Sequence, residues 1–353
     1  MKALILSGGT GTRLRPLTYS SAKQLLPVAN KPILFYIIDK IADTGINDIG
    51  IIVGDTRAEI EAAVGNGSIW GVNITYIYQS QPHGLAHAVK TAAGFLKDEH
   101  FMMILGDNLF QMDLKAIIKE FSDKPANALL LLHESDNPSK YGVAVVNGER
   151  IIRLVEKPKN PPSNLIITGI YIFDHSIFAA IDKTVASARN ELEITDAIQK
   201  LLDTGGTVGY ILTEGWWKDT GSFEDILKAN RLVLDEMEPD FNDIPNCGSI
   251  LEGSLRAGEN VVITDSILYG PVVLGSNISI NRCRIGPFVA IGDNASLSEC
   301  KIEDSIILEG SVIKNINKII TSSLIGKNSR IEACGDEQQT MCFFIGNDSK
   351  IIL

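Results

Sequence analysis

Lys2-Ala3-Leu4-Ile5-Leu6-Ser7-Gly8-Gly9-Thr10-Gly11-Thr12-Arg13-Leu14-Arg15-Pro16-Leu17-Thr18 is the stretch from which the rest of the chain is read. Its opening apolar run reads as a short buried strand. Three glycines and several hydroxyl residues follow at once, and they present backbone N–H groups with no side chains in the way. Such a turn is a concave anion site suited to phosphate oxygens, and Arg13 adds a fixed charge with a forked set of donors. No Gly-Lys-Ser/Thr closes the loop, so it is not a Walker loop. Leu14 stands where a dinucleotide fingerprint carries its third glycine. Taken alone, the loop is equally well a tight strand-to-helix turn. Ten residues after Arg13 comes Lys23, in Ala22-Lys23-Gln24-Leu25-Leu26-Pro27-Val28, with Asn30-Lys31-Pro32 beyond it, and it is the stretch as a whole that separates the two readings.

Working outward, 353 residues with 45% hydrophobic content give ample length for a core and two domains as the natural expectation. A net charge of −11 argues against a general nucleic-acid binder while leaving room for a local basic pocket. No run of eighteen apolar residues is present, so no membrane span is expected. Met1-Lys2 leads directly into a strand with no apolar leader, which predicts a cytoplasmic protein. Cys247, Cys283, Cys300, Cys334 and Cys342 form no close pair. They are expected to be reduced thiols filling a core, and a zinc site is disfavoured because that region holds no histidine.

Strand-like runs at Lys2–Leu6, Asp48–Val53, Asn73–Tyr78, Phe101–Leu105 and Ala128–His133 alternate with helical patterns near Pro32–Thr44, Arg57–Val64, Leu85–Leu96 and Leu114–Phe121. This order predicts an α/β domain, Rossmann-like, with βαβ units around a mixed, mainly parallel sheet. Tyr141–Val146, Ile151–Glu156, Ile166–Phe173 and Val208–Leu212 read as a more mixed half suited to holding a substrate. A helix near Phe223–Glu236 closes the region, so the first domain is placed at residues 1–236 and a linker at 237–246.

Residues 247–353 follow a different rule. Ala257-Gly258-Glu259-Asn260-Val261, Leu274-Gly275-Ser276-Asn277-Ile278 and Ile291-Gly292-Asp293-Asn294-Ala295 share a template with a step of seventeen residues. Leu308…Ser311-Val312 continues it imperfectly, Ile325-Gly326-Lys327-Asn328-Ser329 restores it, and Ile345-Gly346-Asn347-Asp348-Ser349 comes three residues late. Leu268, Ile285, Ile302 and Ile319 keep a matching apolar row, and Cys283 and Cys300 are one step apart. Three sides of about six residues make one coil of a hexapeptide-type parallel β-helix. A β-sandwich with regular turns fits the steady step less well.

Several separate blocks appear in one order: Leu6-Ser7-Gly8-Gly9-Thr10-Gly11-Thr12-Arg13-Leu14-Arg15-Pro16-Leu17-Thr18, Lys23-Gln24-Leu25-Leu26-Pro27-Val28 and Lys31-Pro32. Together they resemble the signature of the sugar-phosphate nucleotidylyltransferases. The resemblance is strongest to the long-form glucose-1-phosphate thymidylyltransferases, with a C-terminal extension, and covers most of residues 1–236. It implies the left-handed form of the β-helix, Mg²⁺ as cofactor, dTTP and glucose 1-phosphate as substrates, and a homo-oligomer, dimer or tetramer.

Asp107, in Leu105-Gly106-Asp107-Asn108, follows an apolar strand, where open α/β sheets bind ligands. Asp219, in Trp216-Trp217-Lys218-Asp219-Thr220-Gly221, is a second loop carboxylate. Each could simply cap a turn. With nucleotide phosphates nearby, the pair suits Mg²⁺, which takes a few carboxylates plus phosphate oxygens. Gln79-Ser80-Gln81-Pro82-His83-Gly84-Leu85-Ala86-His87-Ala88 is similar to the family's base-recognition loop. Its Gln79 amide can donate and accept, matching the N3–H and O4 edge of thymine or uracil. Gly84 gives close backbone approach, His87 is expected on a helix surface, and His83 tunes the loop. The resemblance implies nucleotide contacts from Leu6, Gly8, Gly9, Gly11, Thr12, Arg13, Gln24, Gln79, Pro82, Gly84 and Asp107.

Tyr141-Gly142-Val143, Glu156-Lys157-Pro158 and Thr168-Gly169-Ile170-Tyr171 resemble the sugar-pocket blocks. Glu156 would accept from sugar hydroxyls, Lys157 would neutralise the sugar phosphate, and Gly142 and Gly169 would let backbone reach the ring. Glu156 and Lys157 read equally as a solvated surface pair, and Trp217 equally as core packing. Arg189, in Arg189-Asn190-Glu191-Leu192-Glu193-Ile194-Thr195-Asp196, matches the arginine that touches the phosphate, although Asn190 stands where the family usually has glycine. The implied sugar-phosphate set is Lys23, Asn108, Tyr141, Gly142, Glu156, Lys157, Gly169, Tyr171, Arg189 and Trp217, and the implied catalytic set Arg13, Lys23, Asp107, Lys157 and Asp219. The expected reaction is attack of glucose 1-phosphate on the α-phosphorus of dTTP. Its nucleophile is already ionised, so no general base is needed. The alternatives are UTP or N-acetylglucosamine 1-phosphate as substrates, or an added sugar acetyltransferase activity on the β-helix. A non-catalytic regulatory subunit is distant, because the loop Arg, the Lys and both Asp residues are present.

Overall fold

Leu4 and Leu6 turn to one face of the first strand and Ala3 and Ile5 to the other, and all four are buried. A strand apolar on both faces needs cover on both sides. The computed structural model describes residues 1–9, 11–19, 21–124, 126–238, 246–333, 340–341 and 343–352. It resolves into two compact units, Met1–Thr10 with Ile33–Asp219, and Gly11–Pro32 with Thr220–Leu353. No helix among the described residues is long and apolar enough to cross a membrane.

The first unit is built on a nine-stranded sheet in the order Asn73–Tyr78, Asp48–Val53, Lys2–Leu6, Phe101–Leu105, Leu165–Phe173, Ala128–Glu134, Val208–Leu212, Arg150–Glu156, Gly142–Asn147. The first four are mutually parallel. Leu165–Phe173 and Arg150–Glu156 pair antiparallel with their neighbours, which makes the second half mixed as expected. On one face Leu4, Met103, Leu130 and Phe173 pack with Val89 of helix Leu85–Thr91 and with Ala197 and Ile198 of helix Ile194–Asp203. Helices Ile194–Asp203 and Ser176–Asp182 were not anticipated, although Ile194, Ala197, Ile198 and Leu201 carry the helical spacing. The helix expected over Leu85–Leu96 is two, Leu85–Thr91 and Ala93–Leu96.

The second unit contains a parallel β-helix whose strand pairings show the period directly. Ile250 pairs with Ile267, Ile267 with Arg284 and Arg284 with Lys301, each one step of seventeen along. The next coil is one residue short, with Val289 opposite Ser305, and the following one is long, with Lys301 opposite Ile319 and Ile306 opposite Leu324. The late final copy appears as Leu324 opposite Phe344. The irregularity corrects one position: Ile320, opposite Ile302, is the fully buried member of the row, and Ile319 is half-buried. Each Gly-Asn corner has a cause. A Cβ on Gly275 would come within 2.7 Å of the Asp293 backbone nitrogen in the next coil. Asn260, Asn277, Asn294 and Asn328 take left-handed backbone angles, which Asn tolerates better than most residues. The imperfect copy meets the same demand with Gly310, at φ 69°.

Cys283 and Cys300 are buried free thiols with sulfurs 3.5 Å apart, whereas Cys247 is exposed and fills no core. Cys334 and Cys342 lie outside the described residues, as does most of the expected linker. The second unit also holds residues 11–32. Ala29 N–H donates to Asn230 Oδ1 (2.9 Å), Asn230 Nδ2 to the Phe288 carbonyl (3.4 Å), and Asn30 Nδ2 to the Ile291 carbonyl (2.7 Å). Arg231 of the same helix, Phe223–Asp235, grips the Asp304 carboxylate with two nitrogens.

Candidate active site

In the first unit the ends of the parallel strands carry the site. Leu6 stands between Ile52 and Leu105, so Ser7–Gly9, Gly54 and Gly106–Asp107 leave the sheet side by side. Backbone bonds hold them there: Ser7 N–H to Ile52 (3.0 Å) and Gly106 N–H to Leu6 (2.9 Å). Open α/β sheets bind ligands at this edge. Gln79 follows the next strand, and its N–H donates to the Val53 carbonyl (2.9 Å).

Asp219 reaches the same place by a pairing that the sequence does not reveal. Asn108–Phe110 and Trp217–Asp219 form a two-stranded antiparallel ribbon with Asp219 opposite Asn108. The two carboxylates predicted as a metal pair are therefore neighbours, Asp107 sitting one residue before the partner of Asp219. Among the described residues no group of three or more His, Cys, Asp or Glu side chains could hold a metal by itself. Asn108 Nδ2 donates to Asp107 Oδ1 (2.9 Å) and orients it. Asn108 Oδ1 and Trp217 Nε1 are buried without a hydrogen-bond partner, one acceptor and one donor on the same ribbon. Buried polar atoms are normally paired, which makes these two candidates for contact with a polar ligand. The Trp217 ring meets Tyr141 edge-on at 5.7 Å.

A second cluster gathers Tyr141, Gly142, Glu156, Lys157 and Arg189. Arg189 Nη2 donates to Glu156 Oε1 (2.9 Å) and Glu193 Oε1 (2.8 Å). Lys157 Nζ lies 3.6 Å from the same Glu156 oxygen, and Thr195 Oγ1 donates to Glu156 Oε2 (2.7 Å). Glu156 is thus the hub on which both phosphate-binding candidates converge. Glu193 and Thr195 were not singled out, although both lie within the quoted Arg189–Asp196 block. Burial, followed by the charges of Glu156 and Glu193, raises the Asp196 carboxyl above its usual range.

The glycines also have close protein neighbours. A Cβ on Gly142 would lie 2.7 Å from Thr195 Oγ1 and 3.2 Å from Glu156 Oε2. Gly169, at φ 87°, is backed by Leu105, and Gly84, at φ 99°, by the Leu192 carbonyl, 2.5 Å from its would-be Cβ. That last approach laces two loops: Leu192 N–H donates to the His83 carbonyl (2.7 Å) and Ala86 N–H to the Leu192 carbonyl (3.0 Å). The loop that follows Gln79 and the Arg189 loop are thereby fastened together. Tyr171 is 3% exposed and stacks on Phe173, and burial, followed by the charge of Glu156, raises its phenol above the usual range. Pro82 and His83 are exposed. His87 does not merely face solvent: its Nδ1 lies 2.8 Å from Gln79 Nε2.

In the second unit Gly11, at φ 61°, starts the single turn Thr12–Leu14, with Leu14 buried and Arg13 exposed. The loop folds back so that the point where a Gly11 Cβ would sit is 3.1 Å from Lys23 Cβ. Lys23 and Gln24 are buried, and Gln24 Oε1 has no hydrogen-bond partner.

A family model of nucleotidyl transferases matches residues 2–236. A glucose-1-phosphate thymidylyltransferase of Streptomyces antibioticus is 43% identical over 354 residues, 99% of this chain and 99% of that protein. One of Streptomyces griseus is 40% identical over 351 residues, again 99% of each. A crystal structure of UDP-glucose pyrophosphorylase complexed with UDP-glucose superposes with a TM-score of 0.60 at 27% identity, covering 67% of this chain and 98% of that one.

Proposed function

Because the chain belongs to the nucleotidyl transferase family, we propose that it transfers a thymidylyl group from dTTP to glucose 1-phosphate, giving dTDP-glucose and pyrophosphate. The observation that carries this is the ribbon pairing Asp219 with Asn108, which brings a second carboxylate beside Asp107 at the sheet edge where Ser7–Gly9 emerges. Two carboxylates suit a cation such as Mg²⁺, which takes a few carboxylates together with phosphate oxygens and water. When bound, Mg²⁺ supplies charge neutralisation for the triphosphate.

This chain's own residues do the rest. The amides of Gly8 and Gly9 cradle phosphate oxygens. The Gln79 amide reads the pyrimidine edge. Asn108 Oδ1 and Trp217 Nε1, buried and unpartnered, accept from and donate to sugar hydroxyls. Arg189 and Lys157 hold the sugar phosphate and exchange part of their attachment to Glu156 for it, which frees Glu156 to accept from the ring hydroxyls. Lys23 offsets repulsion between the two anionic reactants, and Arg13 stabilises the departing pyrophosphate. The sugar phosphate attacks in line as an anion, so no residue need act as base.

Residues 247–353 contain no histidine to serve as an acyl-transfer base. Their contacts support a scaffold role: Asn230 and the Ile291 carbonyl hold residues 29–30, which follow the Arg13 and Lys23 segment. The test is pyrophosphate release with dTTP or UTP, each against glucose 1-phosphate or N-acetylglucosamine 1-phosphate. The highest kcat/KM is expected for dTTP with glucose 1-phosphate. A tenfold preference for UTP or for the amino sugar would replace this function with uridylyl or aminosugar transfer.

A further inference from the structure

We propose that His87 is a positioning residue for base recognition: it holds the Gln79 carboxamide in the one orientation that leaves its carbonyl oxygen for an N3–H pyrimidine, and so sets the preference for thymine or uracil over cytosine. The inference rests on the thymidylyl-transfer function above and names what fixes its base specificity.

Gln79 is 8% exposed, and its amide nitrogen faces a ring nitrogen and a carbonyl oxygen. His87 Nδ1 is 2.8 Å away and the Gly84 carbonyl oxygen 3.5 Å away. An amide has two hydrogens to give, one for the Gly84 carbonyl and one for His87 when Nδ1 is the unprotonated nitrogen. Turned by 180°, the amide would set its own oxygen against the Gly84 carbonyl, lone pairs facing lone pairs. The Gly84 carbonyl cannot change its role, so it fixes one end of the amide as the donor. His87 strengthens that choice when its Nδ1 is the unprotonated nitrogen and its proton sits on Nε2. Burial, with the neighbouring His83 and Lys90 charges, lowers its pKa and favours the neutral ring.

The carbonyl end then has one place to point. Gln79 Oε1 lies 3.1 Å from where a Gly8 Cβ would sit, beside the glycine loop. An oxygen there accepts from N3–H of thymine or uracil and repels the N3 lone pair of cytosine. This narrows the role expected from sequence, since an amide whose donor end is engaged cannot also donate to O4. A site built around a hydrogen bond rejects the base that cannot make it more strongly than it rejects a change of shape.

Steady-state pyrophosphate release by the full chain, with glucose 1-phosphate and either dTTP or dCTP, tests the assignment. His87→Leu removes the acceptor. It should raise KM for dTTP about tenfold with kcat within about twofold, and lower the dTTP-to-dCTP ratio of kcat/KM about tenfold. His87→Asn, whose Oδ1 takes the place of Nδ1, should restore both to within about threefold. A merely structural histidine would weaken both nucleotides alike and gain nothing from the acceptor. The inference is overturned if His87→Leu leaves the ratio unchanged while Gln79→Ala collapses it, or if His87→Asn behaves like His87→Leu. Should His87→Leu not fold, His87→Ala is read by the same criteria. Wild-type protein that consumes no dTTP would instead refute the transferase function itself.

Discussion

Gly142→Ala tests whether the proposed sugar-phosphate cluster around Glu156 is held as tightly as its geometry indicates. The added Cβ would sit 2.7 Å from Thr195 Oγ1, 2.9 Å from Ile167 Cδ1 and 3.2 Å from Glu156 Oε2. Ordinary contacts begin near 3.4 Å, so the strand and the start of helix Ile194–Asp203 must part by roughly half an ångström or more. Overpacking of this kind costs about 1–3 kcal/mol. Part of the 2.7 Å Thr195–Glu156 hydrogen bond is lost as well. A net loss of about 2 kcal/mol lowers the melting midpoint of a unit this size by about 4–8 °C. Because Glu156 is also the hub for Arg189 and Lys157, its displacement should raise KM for glucose 1-phosphate about tenfold and leave KM for dTTP within about twofold. Differential scanning calorimetry and pyrophosphate-release kinetics measure the two effects. Gly94→Ala is the control, since nothing lies within 4 Å of its would-be Cβ and the position is helical. It should be neutral or stabilising by up to about 1 kcal/mol. A Gly142→Ala protein that melts with wild type and keeps its sugar-phosphate KM would refute the packing argument.

Asp107→Asn and Asp219→Ala should each cut turnover by several orders of magnitude, and excess chelator should abolish it in wild type; near-normal metal-dependent turnover in either variant would break the metal assignment. Asn230→Ala leaves the Ala29 N–H without its bond and should cost about 1–3 kcal/mol, read as a lower melting midpoint of the second unit; an unchanged midpoint would mean that segment needs no such tie. Asp196 has its carboxyl pKa raised, chiefly by burial, so its contribution is most favourable below the ordinary carboxylate pKa and is lost as pH rises through the raised value. The melting temperature of Asp196→Asn relative to wild type should therefore climb from about pH 4 to pH 7, and a flat or falling difference would contradict the sign.

What the amino-acid order determined by itself was everything carried by short-range periodicity and backbone demand. The parallel strands beginning with Lys2–Leu6, the glycine turn after them, and the seventeen-residue coil were legible because strands buried on both faces read as unbroken apolar runs and a Gly or Asn recurs where stacked coils touch. Even the faults in the repeat were visible, since the imperfect copy at Leu308 follows a coil one residue short and the late last copy reappears as a shifted strand register. Tertiary structure alone decided where distant polar groups meet. Asp219 faces Asn108, Glu193 shares Arg189 with Glu156, and the Leu192 backbone closes on Gly84. Nothing in a local pattern says which of two buried hydrogen-bonding partners will face the other, because that depends on how separate elements pack. His87 shows the same limit at short range: eight residues from Gln79, it reaches the amide only because the loop turns back onto the first turn of the helix. Glycines 84, 142 and 169 likewise stand against protein neighbours that no local pattern names. Local order fixes which conformations a segment can adopt, whereas contact between segments is settled by the packing that leaves the fewest buried polar groups unpaired.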